Sequence, residues 1–320
     1  MKIVVERGSH VESMHQVSYV VMDPQGKILD SSGDVEEKFF PRSAIKMIQV
    51  LPLVRFKRER GLPSSPHELA CACASHAGEK VHIEIVSSWL ERLSLKESHL
   101  ICGAHLPFNE TAAKFFIQNN EAPTRLHNNC SGKHTGMLEW ARLLNASVEN
   151  YADINHPVQQ SIRTEMQTMA EIKMQNEDWA IDGCGIPAWR MPLKNIATML
   201  WHFSSEAAIK GSAEEEVFQA CVQNPVLTAG SDEFCTQAMK QLSGEVFLKV
   251  GAEGFMTAIL PHRKKVIVLK VHDGAERASE VAISHLLARH VPEMKTALSA
   301  WTEPPLFNWA GTAVGRIKAI

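Results

Sequence analysis

Apolar residues change their spacing twice along this chain, and the changes divide it into three stretches. Near the start, Val17-Ser18-Tyr19-Val20-Val21-Met22 is apolar and β-branched, Asp23-Pro24-Gln25-Gly26 supplies turn residues, and Lys27 to Asp30 reads as a returning strand. That order predicts an antiparallel pair. Further on, the apolar positions take the spacing of helix faces. Helices are predicted at about 43–58, 80–93, 109–119, 134–145, 156–172, 193–209 and 212–223, with Gly, Pro or Asn at their flanks. Strand character returns in Glu245-Val246-Phe247-Leu248-Lys249-Val250, Phe255–Leu260 and Lys265–Val271, followed by a long helix over about 276–291. Strands on either side of a helical middle predict an α+β sandwich. Its mostly antiparallel sheet would come from about 1–40 and 245–320, and its helical middle from about 41–244. No repeat or low-complexity linker interrupts the 320 residues, so they read as a single catalytic unit, one body or two intimately packed lobes.

One segment fits neither period. His127-Asn128-Asn129-Cys130-Ser131-Gly132-Lys133-His134 places seven polar side chains and one glycine in eight residues. With almost nothing to bury, it is not expected to form a core strand or an amphipathic helix face. A thiol, an amine, two imidazoles and two amides suit a metal or a polar substrate.

Composition narrows the chemistry. A hydrophobic content of 45% with 22% charged residues supports a large core and excludes disorder as a main theme. A net charge of −3 gives no electrostatic case for nucleic acid or an anionic membrane surface, which leaves small molecules as the expected partners. Charge appears at Lys2, Glu6 and Arg7 before any apolar run of signal length, and no stretch approaches the roughly 20 apolar residues of a membrane span. The expected location is cytoplasmic. Seven cysteines, an odd count, argue for reduced thiols rather than a disulfide framework. Cys71, Cys73, Cys102, Cys221 and Cys235 read as plain buried thiols, whereas Cys130 and Cys184 sit among glycines and polar residues.

Four clusters could carry catalysis. In Phe40-Pro41-Arg42-Ser43-Ala44-Ile45-Lys46 the proline precedes a helical pattern, so Ser43 and Lys46 fall one turn apart on one face. A hydroxyl becomes a useful nucleophile when an amine of lowered pKa removes its proton. Ser43 is the only serine with a lysine three residues on, although Thr111-Ala112-Ala113-Lys114 shows how common the bare spacing is. Ala74-Ser75-His76-Ala77-Gly78-Glu79 reads either as a helix cap or as a second hydroxyl beside Ser43. Asp182-Gly183-Cys184-Gly185 makes a turn that has no need of its thiol. Lys249-Val250-Gly251-Ala252-Glu253-Gly254 ends a strand in a tight bend, as a surface hairpin or with Lys249 and Glu253 facing a cleft.

In this order, Arg42 to Lys46, Ala74 to Glu79, His127 to His134, Asp182 to Gly185 and Gly251-Ala252-Glu253-Gly254 resemble the blocks of the rhizobial-type L-asparaginases, serine–lysine amidohydrolases also called asparaginase II. Weaker agreements, such as His156-Pro157-Val158-Gln159, extend the resemblance over nearly the whole chain. The resemblance implies a β-lactamase/glutaminase-like fold, a homodimer, and hydrolysis of L-asparagine to L-aspartate and ammonia. It also implies Ser43 as nucleophile with Lys46 as base, Ser75 with Lys249 as a second serine–lysine pair, and zinc held by Cys130, Lys133 and Cys184. A free amino acid presents an ammonium and a carboxylate, and Arg42, His134, Asp182 and Glu253 are the candidates to receive them. Gln16-Val17-Ser18 and the stretch from Pro225 to Phe234 depart from the family pattern and bear on substrate choice more than on hydrolysis. Two alternatives accompany this reading: another serine–lysine amidohydrolase, a glutaminase or a β-lactamase-like enzyme, and a non-catalytic zinc-binding protein.

Overall fold

A computed structural model describes residues 1–320. One eight-stranded antiparallel sheet is assembled from both ends of the chain. It comprises β1 (Lys2–Arg7), β2 (His10–Met22), β3 (Ile28–Ser32), β4 (Phe247–Gly251), β5 (Phe255–Leu260), β6 (Lys265–Val271), β7 (Pro305–Phe307) and β8 (Ala313–Ala319). The order is β7-β8-β1-β2-β6-β5-β4, with β3 also paired to β2. The junction between the two sequence halves lies in two registers, Val17–Met22 against Val266–Val271 and Ile3–Arg7 against Gly315–Ala319.

Between the strand groups runs the helical middle: α1 (Lys46–Glu59), α2 (Pro66–Cys73), α3 (Lys80–Arg92), α4 (Glu110–Asn119), α5 (Ser131–Leu143), α6 (Pro157–Ala170), α7 (Leu193–Ala207), α8 (Ala213–Gln223), α9 (Pro225–Thr228) and α10 (Phe234–Gln241). One more helix, α11 (Glu276–His290), follows the last central strand. In β6 the consecutive residues Val266, Ile267, Val268 and Leu269 are all fully buried. Successive side chains of a strand point to opposite faces, so both faces of the sheet are covered there, and α7 and α11 are helices that pack on β6. This is the α+β sandwich, with a main apolar core running from Ile3 to Ile317 and a small satellite at Ala70, Cys71 and Leu227.

The apolar residues of α1 alone do not explain why it holds its place against α5. Lys57 of α1 and Glu139 of α5 form a buried ion pair at 3.0 Å, and Trp89 Nε1 of α3 donates to the second Glu139 oxygen at 2.8 Å. Taking this carboxylate out of water is tolerable because both oxygens are occupied. The helix α5 is buried on every side from Ser131 to Ala141. Its first turn consists of Ser131, Gly132 and Lys133, so the helix begins three residues before the predicted start at 134, inside the polar block. The block does not form an amphipathic face, as expected, but its second half is helical from Ser131 rather than from 134. A helix surrounded by protein can carry polar side chains wherever its neighbours supply partners.

Gly132 makes the close packing of α5 on α2 possible. A Cβ at that position would run into the Cys71 carbonyl of α2, whereas at Gly136, one turn on, it would meet Trp89 at an ordinary 3.4 Å. Gly132→Ala is accordingly expected to lower stability by roughly 1–3 kcal/mol through overpacking, with Gly136→Ala near neutral. Denaturant unfolding of the two variants checks this, and equal effects would contradict it.

Candidate active site

Pro41 leads into a 3₁₀ turn, Arg42–Ile45, which carries Ser43 into α1. Arg42 adopts a left-handed φ of 52°, a costly conformation for a side chain with a Cβ. Strand β4 packs directly on this turn. A Cβ at Gly251 would strike the Pro41 carbonyl and crowd Ala44, so glycine is what lets Lys249 and the Ser43 turn lie side by side.

Ser75 lies in the extended segment after α2. Its backbone N–H donates to the Thr228 carbonyl at 3.2 Å, and the next residue, His76, is tied to the polar block through its N–H to Asn129 O and its ring Nε2 to Ser131 Oγ at 2.8 Å. The helix that follows starts with Glu79 as its N-cap, so neither Ser75 nor His76 caps it. Ser75 Oγ instead stands between two buried amines. Lys249 Nζ donates to it at 2.9 Å and Lys46 Nζ at 3.2 Å. Lys46 also donates to the Ala74 carbonyl and reaches Cys130 Sγ at 3.2 Å, while Lys249 donates to the Val250 carbonyl at 2.9 Å. Burial, and then the neighbouring Lys46 charge, push the Lys249 amine down to about 7. Burial lowers Lys46 as well. Ser43 lines the same pocket, but its hydroxyl makes no hydrogen bond to either lysine.

Cys130, Lys133 and Cys184 also converge. Lys133 Nζ lies 3.0 Å from Cys184 Sγ, and the Cys130 thiol lies near enough to influence the same sulfur. The neighbouring Cys130 thiol brings the Cys184 thiol down to about 5, with Lys133 adding to the effect against the cost of burial. All seven cysteines are free and buried, so Cys130 and Cys184 differ from the other five in their neighbours rather than in exposure. No trio of His, Cys, Asp or Glu side chains gathers at a metal-binding spacing. Two thiols and one amine that already touch are nonetheless a donor set that fits zinc, provided the amine gives up its proton.

The four candidates for substrate contacts separate. Arg42 Nε donates to Asp182 Oδ2 at 2.5 Å and Nη2 to Oδ1 at 3.2 Å. Burial works against the Asp182 carboxylate, but Arg42 and Lys133 outweigh it and hold the carboxyl at about 2. Glu253 lines the pocket at a left-handed φ of 62°. His134 does not line it. Its ring is fully buried, Nδ1 meets Tyr151 Oη at 2.6 Å, and burial, with Lys133 adding, lowers the imidazole to about 3. In this structure His134 packs behind the pocket and makes no approach to a substrate there.

The pocket holds about 570 Å³ and is lined mainly by polar groups, among them Ser43, Ser75, Asn129, Cys130, Cys184 and Glu253. Sequence patterns had not singled out Glu233 or Glu276, which also line it, nor given a role to His105 and Phe108 at its edge. Glu233 falls in the Pro225–Phe234 stretch that had stood out only as unlike the family. No periodicity marks such residues, because they meet only in three dimensions. No helix is long and apolar enough to cross a membrane.

A family model described as L-asparaginase II matches residues 3–319, nearly the whole chain. No curated protein sequence matches. Among solved structures, a β-lactamase from Mycobacterium bovis aligns over 86% of this chain and 94% of its own, at 15% identity and a TM-score of 0.44. Another structure, from Bacteroides dorei and assigned to the same class, aligns over 85% and 84%, at 12% identity and a TM-score of 0.37.

Proposed function

This chain belongs to the L-asparaginase II family of amidohydrolases, and from that premise we propose that it hydrolyses the side-chain amide of L-asparagine to L-aspartate and ammonia. The observation that carries the proposal is the convergence of two buried amines on Ser75 Oγ in the pocket that Ser43 lines. A serine–lysine centre needs a hydroxyl, an amine able to be neutral near physiological pH, and a route for the proton. Lys249 at about 7 meets the second requirement, and the Lys46–Ser75–Lys249 chain meets the third.

In the proposed sequence Ser43 Oγ attacks the amide carbon as its proton passes to Lys46. The tetrahedral species collapses, the C–N bond breaks, and ammonia leaves with a proton returned through the Lys46–Ser75–Lys249 chain. Water then adds to the acyl-serine ester, gives its proton to the same chain, and releases the carboxylate with Ser43 regenerated. A second reading has a specific observation in its favour. Ser75 Oγ is bonded to both amines and Ser43 Oγ to neither, so Ser75 itself would be the attacking group.

Cys130, Lys133 and Cys184 would hold zinc beside this centre. When bound, the ion supplies a fixed positive charge that polarises a carbonyl or acidifies a water. Lys133 would enter the ligand set as a free amine, and its ammonium–thiolate contact with Cys184 keeps it in place beforehand. A cytoplasmic homodimer belongs to the same proposal.

Ammonia release from L-asparagine tests the assignment. Ser43→Ala is expected to lose on the order of 10⁴-fold or more. Ser75→Ala is expected to lose about 10²- to 10⁴-fold, as an acid–base relay does. The reverse ranking would transfer the nucleophile role to Ser75, and full activity in both variants would end the serine–lysine reading. Because the amine must be neutral to accept a proton, turnover should be complete above the Lys249 pKa and decline as pH falls through about 7. A rate profile flat from pH 5 to 9 would contradict this. Zinc uptake should release protons, since Lys133 and any protonated thiol must lose theirs to coordinate. Calorimetry in buffers of different ionisation enthalpy measures the release, and uptake without it would exclude Lys133 as a ligand.

A further inference from the structure

The charges lining the pocket are unevenly matched. Arg42 is the only arginine or lysine among the lining residues, and both of its bonds are used on Asp182. Glu233, Glu253 and Glu276 line the pocket as well, and none of their carboxylates takes part in an ion pair or hydrogen bond. The same cavity presents Ser43 and Ser75, with Lys249 Nζ donating to the Ser75 hydroxyl. The cavity therefore joins the groups for amide chemistry to three carboxylates that no side chain engages by an ion pair or hydrogen bond.

Glu233 is held in place by the fold. Glu79, at the start of α3, accepts the Ser231 N–H at 2.7 Å, which anchors the loop entering α10. Gly230 in that loop has a φ of 155°, and a Cβ there would come within 2.5 Å of Ala77 Cβ and 3.1 Å of Glu233 Cγ. Glycine thus lets the loop press against α3 and present Glu233 to the cavity. The Glu253 carboxylate is similarly accommodated over Gly274, where a Cβ would lie 2.7 Å from its Oε2.

We infer that Glu233, with Glu276 beside it, is the specificity-determining group that selects amides carrying an ammonium group, by receiving that ammonium in the pocket the serines line. The inference rests on the amide-hydrolysis reading and adds the residue that selects its substrate. Burial, and then the nearby charges of Glu276, Glu79 and Asp232, raise the Glu233 carboxyl against a smaller opposing effect of Lys249, as expected of a carboxylate with no directly bonded cation. An ammonium docked there relieves this crowding and replaces water with a charge-assisted hydrogen bond. A chain bearing only a carboxylate beyond its amide would meet like charge in the same place, so the wall also rejects the desamino analogue.

The test compares L-asparagine with succinamic acid, the same amide without the ammonium, in the wild type, Glu233→Gln and Glu276→Gln. Glu233→Gln should raise KM for L-asparagine by roughly ten- to a hundredfold, the value of a hydrogen bond to a charged group, and leave KM for succinamic acid unchanged or lower. The exposed Glu276→Gln should give a smaller shift in the same sense. Equal effects on both amides, or no effect, in variants with wild-type unfolding midpoints would overturn the inference. If Glu233→Gln does not fold, a Glu276→Gln variant with no change in the ratio of the two amides overturns it alone. Calorimetric binding of L-aspartate and succinate to the same proteins separates the inference from its premise. Ammonia release from neither amide would sink the amide-hydrolysis reading, while a preference for L-aspartate that disappears in Glu233→Gln would still uphold the ammonium assignment. Absence of that preference in the wild type would remove the assignment even if turnover is seen.

Discussion

Lys46 and Lys249 bring two amines out of water to the same oxygen, Ser75 Oγ, one from helix α1 and the other from strand β4. Their bonds to that oxygen place the amines within about 6 Å of each other. At that separation two full positive charges in an effective dielectric near 20 repel by roughly 3 kcal/mol, before the cost of burying either is counted. The protein meets this by keeping one amine readily neutral and by placing thiol sulfurs on the Lys46 side. A hydroxyl between such amines can give a proton to one side and take one from the other without moving. The dense packing around α5 and the missing Cβ atoms at Gly132 and Gly251 keep this geometry from relaxing.

The site is also an electrostatic composite. Thiols, amines and the Arg42–Asp182 pair share the pocket with glutamates that have no hydrogen-bond or ion-pair partner. Of the four charged residues at left-handed φ, Arg42, Glu171, Glu253 and Lys264, two, Arg42 and Glu253, line the pocket. Strain of this kind persists only where surrounding contacts over-determine the backbone, and here the tight meeting of β4 with the Ser43 turn supplies those contacts. Stability and chemistry are therefore hard to alter separately in this part of the molecule.

Much of the architecture could be read from local pattern. The pairing of Val17–Met22 with its neighbours, the strands at 255–260 and 265–271, and the helix beginning at 276 follow from alternation, β-branching and turn residues, which act over a few positions. Helices α2 and α10 lacked that clarity, because Leu69-Ala70-Cys71-Ala72-Cys73 is small and apolar on all sides and Phe234–Gln241 is short. The polar block hid the first turn of α5 for a physical reason: Ser131 and Lys133, like Thr135 just after it, find their partners in other elements and within their own helix, so they need no exposed face. His134 shows the same limit at the site. Its chemistry suited a pocket, but one helical turn directs it to Tyr151. Glu233 and Glu276 reach the cavity from a loop and a helix start that share no spacing with the serines, and only the tertiary fold brings them there.

The sheet's order has a consequence for how the molecule comes into being. Positions 17–22 lie beside 266–271, and 3–7 beside 315–319, so the opening hairpin waits for strands made last. Lys249, which completes the pair of amines on Ser75, belongs to that late group. During synthesis the emerging polypeptide can form helices early but has neither a closed sheet nor a finished proton chain. Folding to completion and acquiring reactivity are thus a single late event, with long-range strand pairing as the slow step, and a truncated product would be left with exposed strand edges and no activity.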